Sequence, residues 1–248
     1  MNHPLISIVM PTYNSEKTIK KSIQSIIEQS YSNWELLITD DCSSDNTVDI
    51  VNSFSSDDHR ISFIINATNS GAGFSRNASI ARSTGKYIAF LDSDDIWLPE
   101  KLSTQVNYME DTGALFTYTS YQKFSEDKMG GVIVPPSQVT YDKLLYGNVI
   151  GCLTAMFNAE VLGRQRMPLI RKRQDMGLWL SLLKQCQTAY AVPGVLALYR
   201  TDSGMTKNKL NAAKYQWVFY RKVVGLNICQ AAWYFSWYTV NGFIKYRK

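Results

Sequence analysis

Histidine is almost missing: His3 and His59 are the only two in 248 residues. That scarcity excludes a Ser/His/Asp or Cys/His nucleophilic apparatus and a histidine metal cluster, which leaves carboxylates to do any chemistry. The four cysteines, Cys42, Cys152, Cys186 and Cys229, lie too far apart for a C-x-x-C pair, so they read as free thiols of a reducing compartment rather than zinc ligands or a redox couple. Met1 is followed directly by Asn2, His3 and Pro4, without the basic-then-apolar stretch of a secretory signal, and the chain is expected on the cytoplasmic side. The formal charge is only +5, and no nucleic-acid-reading motif accompanies it, so nucleic acid is not expected as a partner. Internal repeats and low-complexity tracts are also lacking.

What is present is a globular composition, 45% hydrophobic and 12% aromatic, which excludes disorder and fibres. The length suits one large α/β domain, with or without an appended segment. The first third alternates short strand-like and helix-like segments, the pattern of a parallel sheet with crossover helices. Strands are expected at Leu5 to Met10, ended by Pro11, then at 35–39, 61–65 and 87–91. Between the first two, the isoleucines at 19, 23, 26 and 27 form one helical stripe within 16–29, with Asn14 and Ser15 as N-cap candidates. Thr47 to Phe54 and Phe74 to Arg82 read as helices, the latter after a glycine-bearing loop at 69–73. Beyond residue 100, helices are expected at 100–111 and 175–187, a strand at 115–121 and a loop at 130–136. From Asn208 onward there is no proline, and a long helix or helix pair is expected.

In an open parallel sheet, ligands gather at the carboxyl ends of the strands. The residues there are Pro11-Thr12-Tyr13-Asn14, Asp40-Asp41 and Asp92-Ser93-Asp94-Asp95. Carboxylates crowded at one sheet edge repel unless a cation sits among them, and Mg²⁺ or Mn²⁺ with oxygen ligands and open positions for phosphates answers that. A nucleotide diphosphate is then the expected ligand. Asp40 and Asp41 can equally be turn formers, and Tyr13 a packed tyrosine instead of a base-stacking one. The glycines at 71 and 73 lack both G-x-G-x-x-G spacing and a P-loop Lys-Ser/Thr.

Three ordered segments, Ser7-Ile8-Val9-Met10-Pro11-Thr12-Tyr13-Asn14, Glu35-Leu36-Leu37-Ile38-Thr39-Asp40-Asp41-Cys42-Ser43-Ser44-Asp45-Asn46-Thr47 and Phe90-Leu91-Asp92-Ser93-Asp94-Asp95, resemble the family 2 glycosyltransferases over roughly residues 5 to 200. The resemblance implies an α/β GT-A fold, a Rossmann-like, mostly parallel mixed sheet flanked by helices, with the C-terminal helices as an extension. It also implies inverting transfer of a sugar from a UDP-sugar (glucose, galactose or N-acetylhexosamine type) to a hydroxyl, with Mn²⁺ or Mg²⁺ as cofactor. Pro11, Tyr13, Asp41, Arg76, Asp92 and Ser93 would then form the donor site, with Tyr13 on the base, Asp41 at its edge, Arg76 near base and ribose, and Asp92 on the ribose. Asp94 would hold the metal, Asp95 being a second candidate. Asp175, in Arg173-Gln174-Asp175-Met176-Gly177-Leu178-Trp179, takes the place of the catalytic base. As a helix-start carboxylate it also has a plain capping role.

Three departures from the family pattern stand out. Gln174 replaces the usual glutamate before the base. Cys42 replaces a glycine after the Asp pair, which matters only if that turn needs a positive φ. Tyr199-Arg200 is followed by Thr201-Asp202-Ser203 where many members carry a histidine. A sugar nucleotidyltransferase is the alternative enzyme, disfavoured because its glycine-rich Arg/Lys loop is missing, and a silent membrane-associated subunit of a polysaccharide assembly complex is the alternative outside enzymes.

The expected organisation is a catalytic domain over 1–205, with a nucleotide-sugar half to about 115 and an acceptor half over 116–205, and a basic, aromatic segment over 206–248. Arg164, Arg166, Arg171, Lys172 and Arg173 crowd the approach to Asp175, either as a solvated loop or to meet phosphates. Lys207, Lys209, Lys214, Arg221 and Lys222 precede an uncharged stretch from 223 to 244, closed by Lys245, Arg247 and Lys248. This stretch would lie on the inner leaflet, pack on the catalytic domain or span the bilayer; the polar and aromatic content favours the first. The resemblance to bacterial O-antigen and polysaccharide transferases implies a polyprenyl-diphosphate-linked saccharide as acceptor and a peripheral place on the inner face of the inner membrane.

Overall fold

Apolar side chains alternate along the first strand, β1 (Ile6–Thr12): Ile6, Ile8 and Met10 enter one core layer and Val9 the other. β2 (Trp34–Asp40), β3 (Ile61–Ile65) and β4 (Tyr87–Phe90) join it in the parallel order β3-β2-β1-β4. Crossovers are made by α1 (Ile19–Ile27), α2 (Thr47–Asp57) and α3 (Ala72–Arg82). The computed structural model describes residues 3–202 and 209–245. The boundary expected at 205/206, and Lys207, Arg247 and Lys248, lie outside the described residues.

Pro11 does not end β1. Residues 10 and 12 of β1 turn their backbone groups to β2, as in the bond from the Asp41 N–H to the Thr12 carbonyl, whereas residues 9 and 11 turn toward β4. β4 ends at Phe90, so the donor that Pro11 lacks has no partner to miss. The α1 helix starts later than its capping residues suggested. Thr18 is its N-cap, without a side-chain cap bond. Asn14 adopts φ 47 and accepts the Ser44 N–H on Oδ1 instead.

After β5 (Ile96–Trp97) and α4 (Lys101–Thr112) come β6 (Phe116–Phe124), β7 (Met129–Ile133), β8 (Gln138–Thr140) and α5 (Tyr141–Leu145). β9 (Met156–Asn158), α6 (Ala159–Leu162), α7 (Gln174–Cys186) and β10 (Thr188–Arg200) follow. The segment expected as a loop at 130–136 is therefore largely strand. β6 leaves backbone groups open on that side, and β7 closes them by antiparallel pairing. Short β9 lies antiparallel between β4 and β6, welding the parallel set to the second half in one ten-stranded mixed sheet among the described residues. Its longest ladders remain parallel.

α1, α2 and α4 cover one face of the sheet and α3 and α7 the other. Trp179 of α7 is fully buried, edge-on to Phe90 at 5.4 Å and against Phe116 at 5.2 Å. This packing sets the start of α7 beside the ends of β1 and β4. The chain closes with α8 (Lys209–Val218), a π-helical stretch (Phe219–Val224) and α9 (Ile228–Lys245). Phe219, Tyr220 and Ala231 join the α7-side core, so these helices pack on the second half of the sheet. No described helix is long and apolar enough to cross a membrane.

Candidate active site

The loops after β1 and β2 are pinned together before any ligand enters. Asp45 accepts the Glu16 N–H and both the N–H and the hydroxyl of Thr47, and Glu16 in turn accepts from Asn46. Asp40 closes a turn by accepting the Ser43 N–H and hydroxyl, which supports its turn-forming role. In this turn Cys42 has φ 68, so the glycine it replaces would have relieved a left-handed backbone.

Asp41 is buried, and its two oxygens accept the Ser70 and Gly71 N–H groups and the Asn66 amide. The carboxylate thus shapes the glycine loop against the end of β2. At the end of β4, Asp92 takes an ion pair from Arg76 Nη2 at 2.5 Å. The buried Arg76 also donates Nη1 to Gln174 Oε1 at 3.1 Å. Burial would lower the Arg76 pKa, but Asp92 more than offsets this, aided by Asp175, and the net shift is upward. Gln174 Nε2 donates to the Ile170 carbonyl, which a glutamate could not do. A Cβ on Gly73 would meet the Gln174 side chain at 2.8 Å, so glycine lets α3 approach α7 this closely.

Asp175 is half-buried in the first turn of α7, and its Oδ2 accepts from Asn148 Nδ2 at 2.7 Å. Burial raises its pKa, with the Met176 N–H, Arg76 and Arg173 pulling the other way. Asp95 is buried, with Oδ1 on the Arg200 N–H at 2.9 Å, while Arg200 Nε donates to the Asp94 carbonyl. Burial first, then Asp94 and Asp92, push the Asp95 carboxyl well up. Ser93 Oγ is 2.8 Å from Ser15 Oγ, tying the first and fourth strand-end loops together.

One cavity of about 1690 Å³ brings Tyr13, Asp41, Arg76, Asp92, Asp95 and Asp175 together. Tyr13 is half exposed at its wall. Pro11, Ser93 and Asp94 are not among its lining residues; Pro11 and Ser93 lie buried behind it and Asp94 is partly exposed. Of the basic segment, Arg171, Lys172 and Arg173 line the cavity. Arg164 does not meet phosphate there, because its guanidinium is spent on the Ser83 and Gly85 carbonyls.

Asn148, Tyr121 and Tyr199 line the same cavity and carried no sequence signal, apart from the Tyr199-Arg200 pair. Tyr121 and Tyr199 meet edge-on at 5.8 Å, and burial followed by the nearby Asp95 charge raises the Tyr199 pKa to about 12.

The hard oxygens of the Asp92–Asp95 turn fit Mg²⁺ or Mn²⁺, and the mutual charge of its three carboxylates favours a cation there. Among the described residues no three His, Cys, Asp or Glu side chains gather to cage an ion. An ion held here would complete its shell with substrate oxygens and water.

An open cavity at the strand ends, lined by carboxylates, with half-buried Asp175 in the first turn of the facing helix, fits a group transferase on an α/β sheet. The sequence profile of Glycosyl transferase family 2 matches residues 7–156, and the chain belongs to this family. It is 40% identical over 245 residues to the Bacillus subtilis protein named as teichuronic acid biosynthesis glycosyltransferase TuaG, covering 98% of this chain and 97% of that one. It is 41% identical over 219 residues to WfgD of Escherichia coli, named UDP-Glc:alpha-D-GlcNAc-diphosphoundecaprenol beta-1,3-glucosyltransferase, covering 88% and 85%. Among solved structures, residues 1–349 of S. aureus TarS in complex with UDP-GlcNAc superpose with a TM-score of 0.72 at 19% identity, covering 94% of this chain and 71% of that one. The longer TarS chain is covered over 42% of its length. A mannosyltransferase from Pyrobaculum calidifontis, in complex with GDP-Man and Mn2+, gives 0.69 at 16% identity, covering 97% and 74%. These likenesses show the GT-A fold.

Proposed function

We propose that this enzyme moves a hexose from a UDP-sugar to a hydroxyl of a polyprenyl-diphosphate-linked saccharide, with inversion, in bacterial surface polysaccharide synthesis. The reading rests on the shared cavity: half-buried Asp175 in the first turn of one helix, with Tyr13, Asp41, Arg76 and Asp92 in the same space. Relatives named for diphosphoundecaprenol acceptors, WfgD and the 32% identical WfaP, support the acceptor class. UDP-containing complexes of the fold neighbour support the donor class.

In this mechanism Tyr13 stacks on the uracil and Asp41, backed by Pro11, holds the base edge through the glycine loop it organises. Asp92, oriented by Arg76, binds the ribose, and Ser93 fixes the turn. Asp94 holds Mn²⁺ or Mg²⁺, with Asp95 buttressing the turn from below. An ion held there would supply charge neutralisation for the departing diphosphate. Asp175 accepts the proton of the attacking hydroxyl. Its raised pKa suits this task, because a base closer to neutral accepts a proton more readily, and Asn148 orients the carboxylate by donating to Oδ2.

The proposed organisation is a catalytic domain over 1–205 and a membrane-associating segment over 206–248, with the protein peripheral on the inner face of the inner membrane. Calorimetric titration with UDP-sugars, GDP-mannose and dTDP-rhamnose, each with and without Mn²⁺, tests the donor assignment. Tight, metal-dependent binding of one UDP-sugar is the expected outcome. Equal binding of all three nucleotide classes, or none, would overturn it.

A further inference from the structure

The ligand-gathering edge of the sheet does not stop at β4. β9 runs antiparallel to both β4 and β6, and β10 runs parallel to β6, so the carboxyl ends of β6 and β10 open on the same side as those of β1, β2 and β4. Where the first half carries carboxylates at this edge, the second carries aromatic rings. Tyr121 lies near the end of β6 and Tyr199 next to last in β10, and both line the cavity. Tyr121 is paired in register with Ala197, so the two tyrosines share one face of the sheet, and their rings meet edge-on at 5.8 Å.

Tyr121 packs partly on the core layer that holds Trp97 and Leu153. A Cβ on Gly151 would come within 3.3 Å of its Cε1, so the glycine lets the short helical turn at Cys152–Thr154 lie along the ring. Its register partner on β7, Ile133, continues through Val134 and Pro135 as an apolar wall of the same cavity. Tyr199 stands further out, 38% exposed. Among the described residues neither phenolic hydroxyl has a hydrogen-bond partner, and burial with the nearby Asp95 charge keeps both protonated at neutral pH. Each can therefore donate to and accept from a ligand hydroxyl. Aromatic faces, an apolar wall and two such hydroxyls complement a ring with C–H bonds on its face and hydroxyls on its rim, which describes a pyranose. A nucleobase stacked on Tyr13 does not reach this pair, because β4 separates β1 from β9 and β6, and the Asp92–Asp95 turn stands between them.

We propose that Tyr199, braced by Tyr121, is the stacking surface for the hexose that the donor carries, and is thereby a specificity-determining residue for the transferred sugar. This rests on the proposed transfer from a UDP-sugar. In a single displacement the acceptor oxygen bonds to the anomeric carbon as the bond from that carbon to the diphosphate oxygen breaks, and the acceptor proton passes to Asp175. The attacking hydroxyl and the leaving diphosphate thus stand on opposite sides of the sugar. Asp175 marks the first side and the Asp92–Asp95 turn the second. The charges that act most on Tyr199 are Asp95, Asp94 and Asp92, in that order, all of them in the turn. The pair accordingly flanks the leaving-group side, where the ring is still joined to diphosphate.

Calorimetry of the full chain with Mn²⁺ compares UDP with whichever of UDP-glucose, UDP-galactose and UDP-N-acetylglucosamine binds tightest. The readout is the ratio of the two dissociation constants, which cancels what the nucleotide contributes. Tyr199→Leu should shift that ratio about tenfold against the UDP-sugar, with the UDP constant unchanged. Tyr121→Leu should shift it in the same direction by less, and Tyr199→Phe, which keeps the ring, by about threefold. Unchanged UDP binding verifies the fold, and Tyr199→Thr, suited to a strand, takes the place of a leucine variant that loses it. A merely structural role would weaken both ligands together. An unchanged ratio would overturn the assignment, and a rise in acceptor KM alongside it would give the rings to the acceptor saccharide instead. No binding of either nucleotide by the wild type would sink the proposed function and this inference together; binding of both, with the same ratio in every variant, would sink this inference alone.

Discussion

The proposed donor and acceptor halves of the cavity are built by different means. On the donor side Tyr13, Asp41 and Asp92 each follow a parallel strand, and every loop is braced by neighbours from the same motifs, as Asp45 and Ser93 illustrate. On the acceptor side Asn148 and Asp175 lie far apart in the chain and meet only because short β9 and buried Trp179 bring their segments together. Arg76 spans the two, holding Asp92 with one nitrogen and Gln174 with another. In the proposed mechanism, binding and base catalysis are therefore expected to be separable by mutation, except at that bridge.

The largest test of this separation is Asp175→Asn, which should reduce turnover by about 10³-fold or more with UDP-sugar binding unchanged by calorimetry. It carries a stability signature too. The folded pKa of Asp175 lies above its unfolded value, so ionisation costs nothing in acid, and the cost appears as pH rises through the two values. The variant should melt higher than wild type at neutral pH, with the gap closing in acid; a lower melting point at neutral pH would contradict the burial argument. Asp94→Ala should act on the other side, abolishing the Mn²⁺ dependence of donor binding, and an unchanged metal titration would remove Asp94 from that role.

Smaller effects sharpen the boundary. Asn148→Ala withdraws a hydrogen bond from the half-buried Asp175 carboxylate and should lower kcat about tenfold while moving the acidic limb of the pH–rate profile upward, at constant donor affinity. Gln174→Glu keeps the acceptor for Arg76, loses the donor to the Ile170 carbonyl and sets a second negative charge beside Asp175. The same limb should therefore rise, and a downward shift would show that Arg76 absorbs the new charge. Cys42→Gly relieves the positive φ of the second loop and should stabilise the protein by about 1 kcal/mol in thermal or urea unfolding, with activity unchanged.

Legibility followed chain locality. The strands around Leu36 and Phe90 and the isoleucine stripe of α1 were readable because period-two and helical spacing are local signals, and the carboxylates stood out because they sit where parallel strands end. Two-residue β5, three-residue β9 and the β7 strand were not, since nothing in Met156-Phe157-Asn158 distinguishes a sheet-joining strand from a turn. Asn148 was hidden for the same reason: its role exists only opposite Asp175.

The sequence by itself determined the family, the parallel first half and the set of carboxylates at its edge, because each depends on residues adjacent in the chain. Tertiary structure alone decided that Asp41 shapes the glycine loop, that Arg164 is spent on backbone carbonyls while Arg171–Arg173 reach the cavity, and that α9 packs on the α7-side core. Those outcomes depend on which distant groups compete for each hydrogen bond and each patch of apolar surface, and that competition is resolved only when the chain has closed on itself.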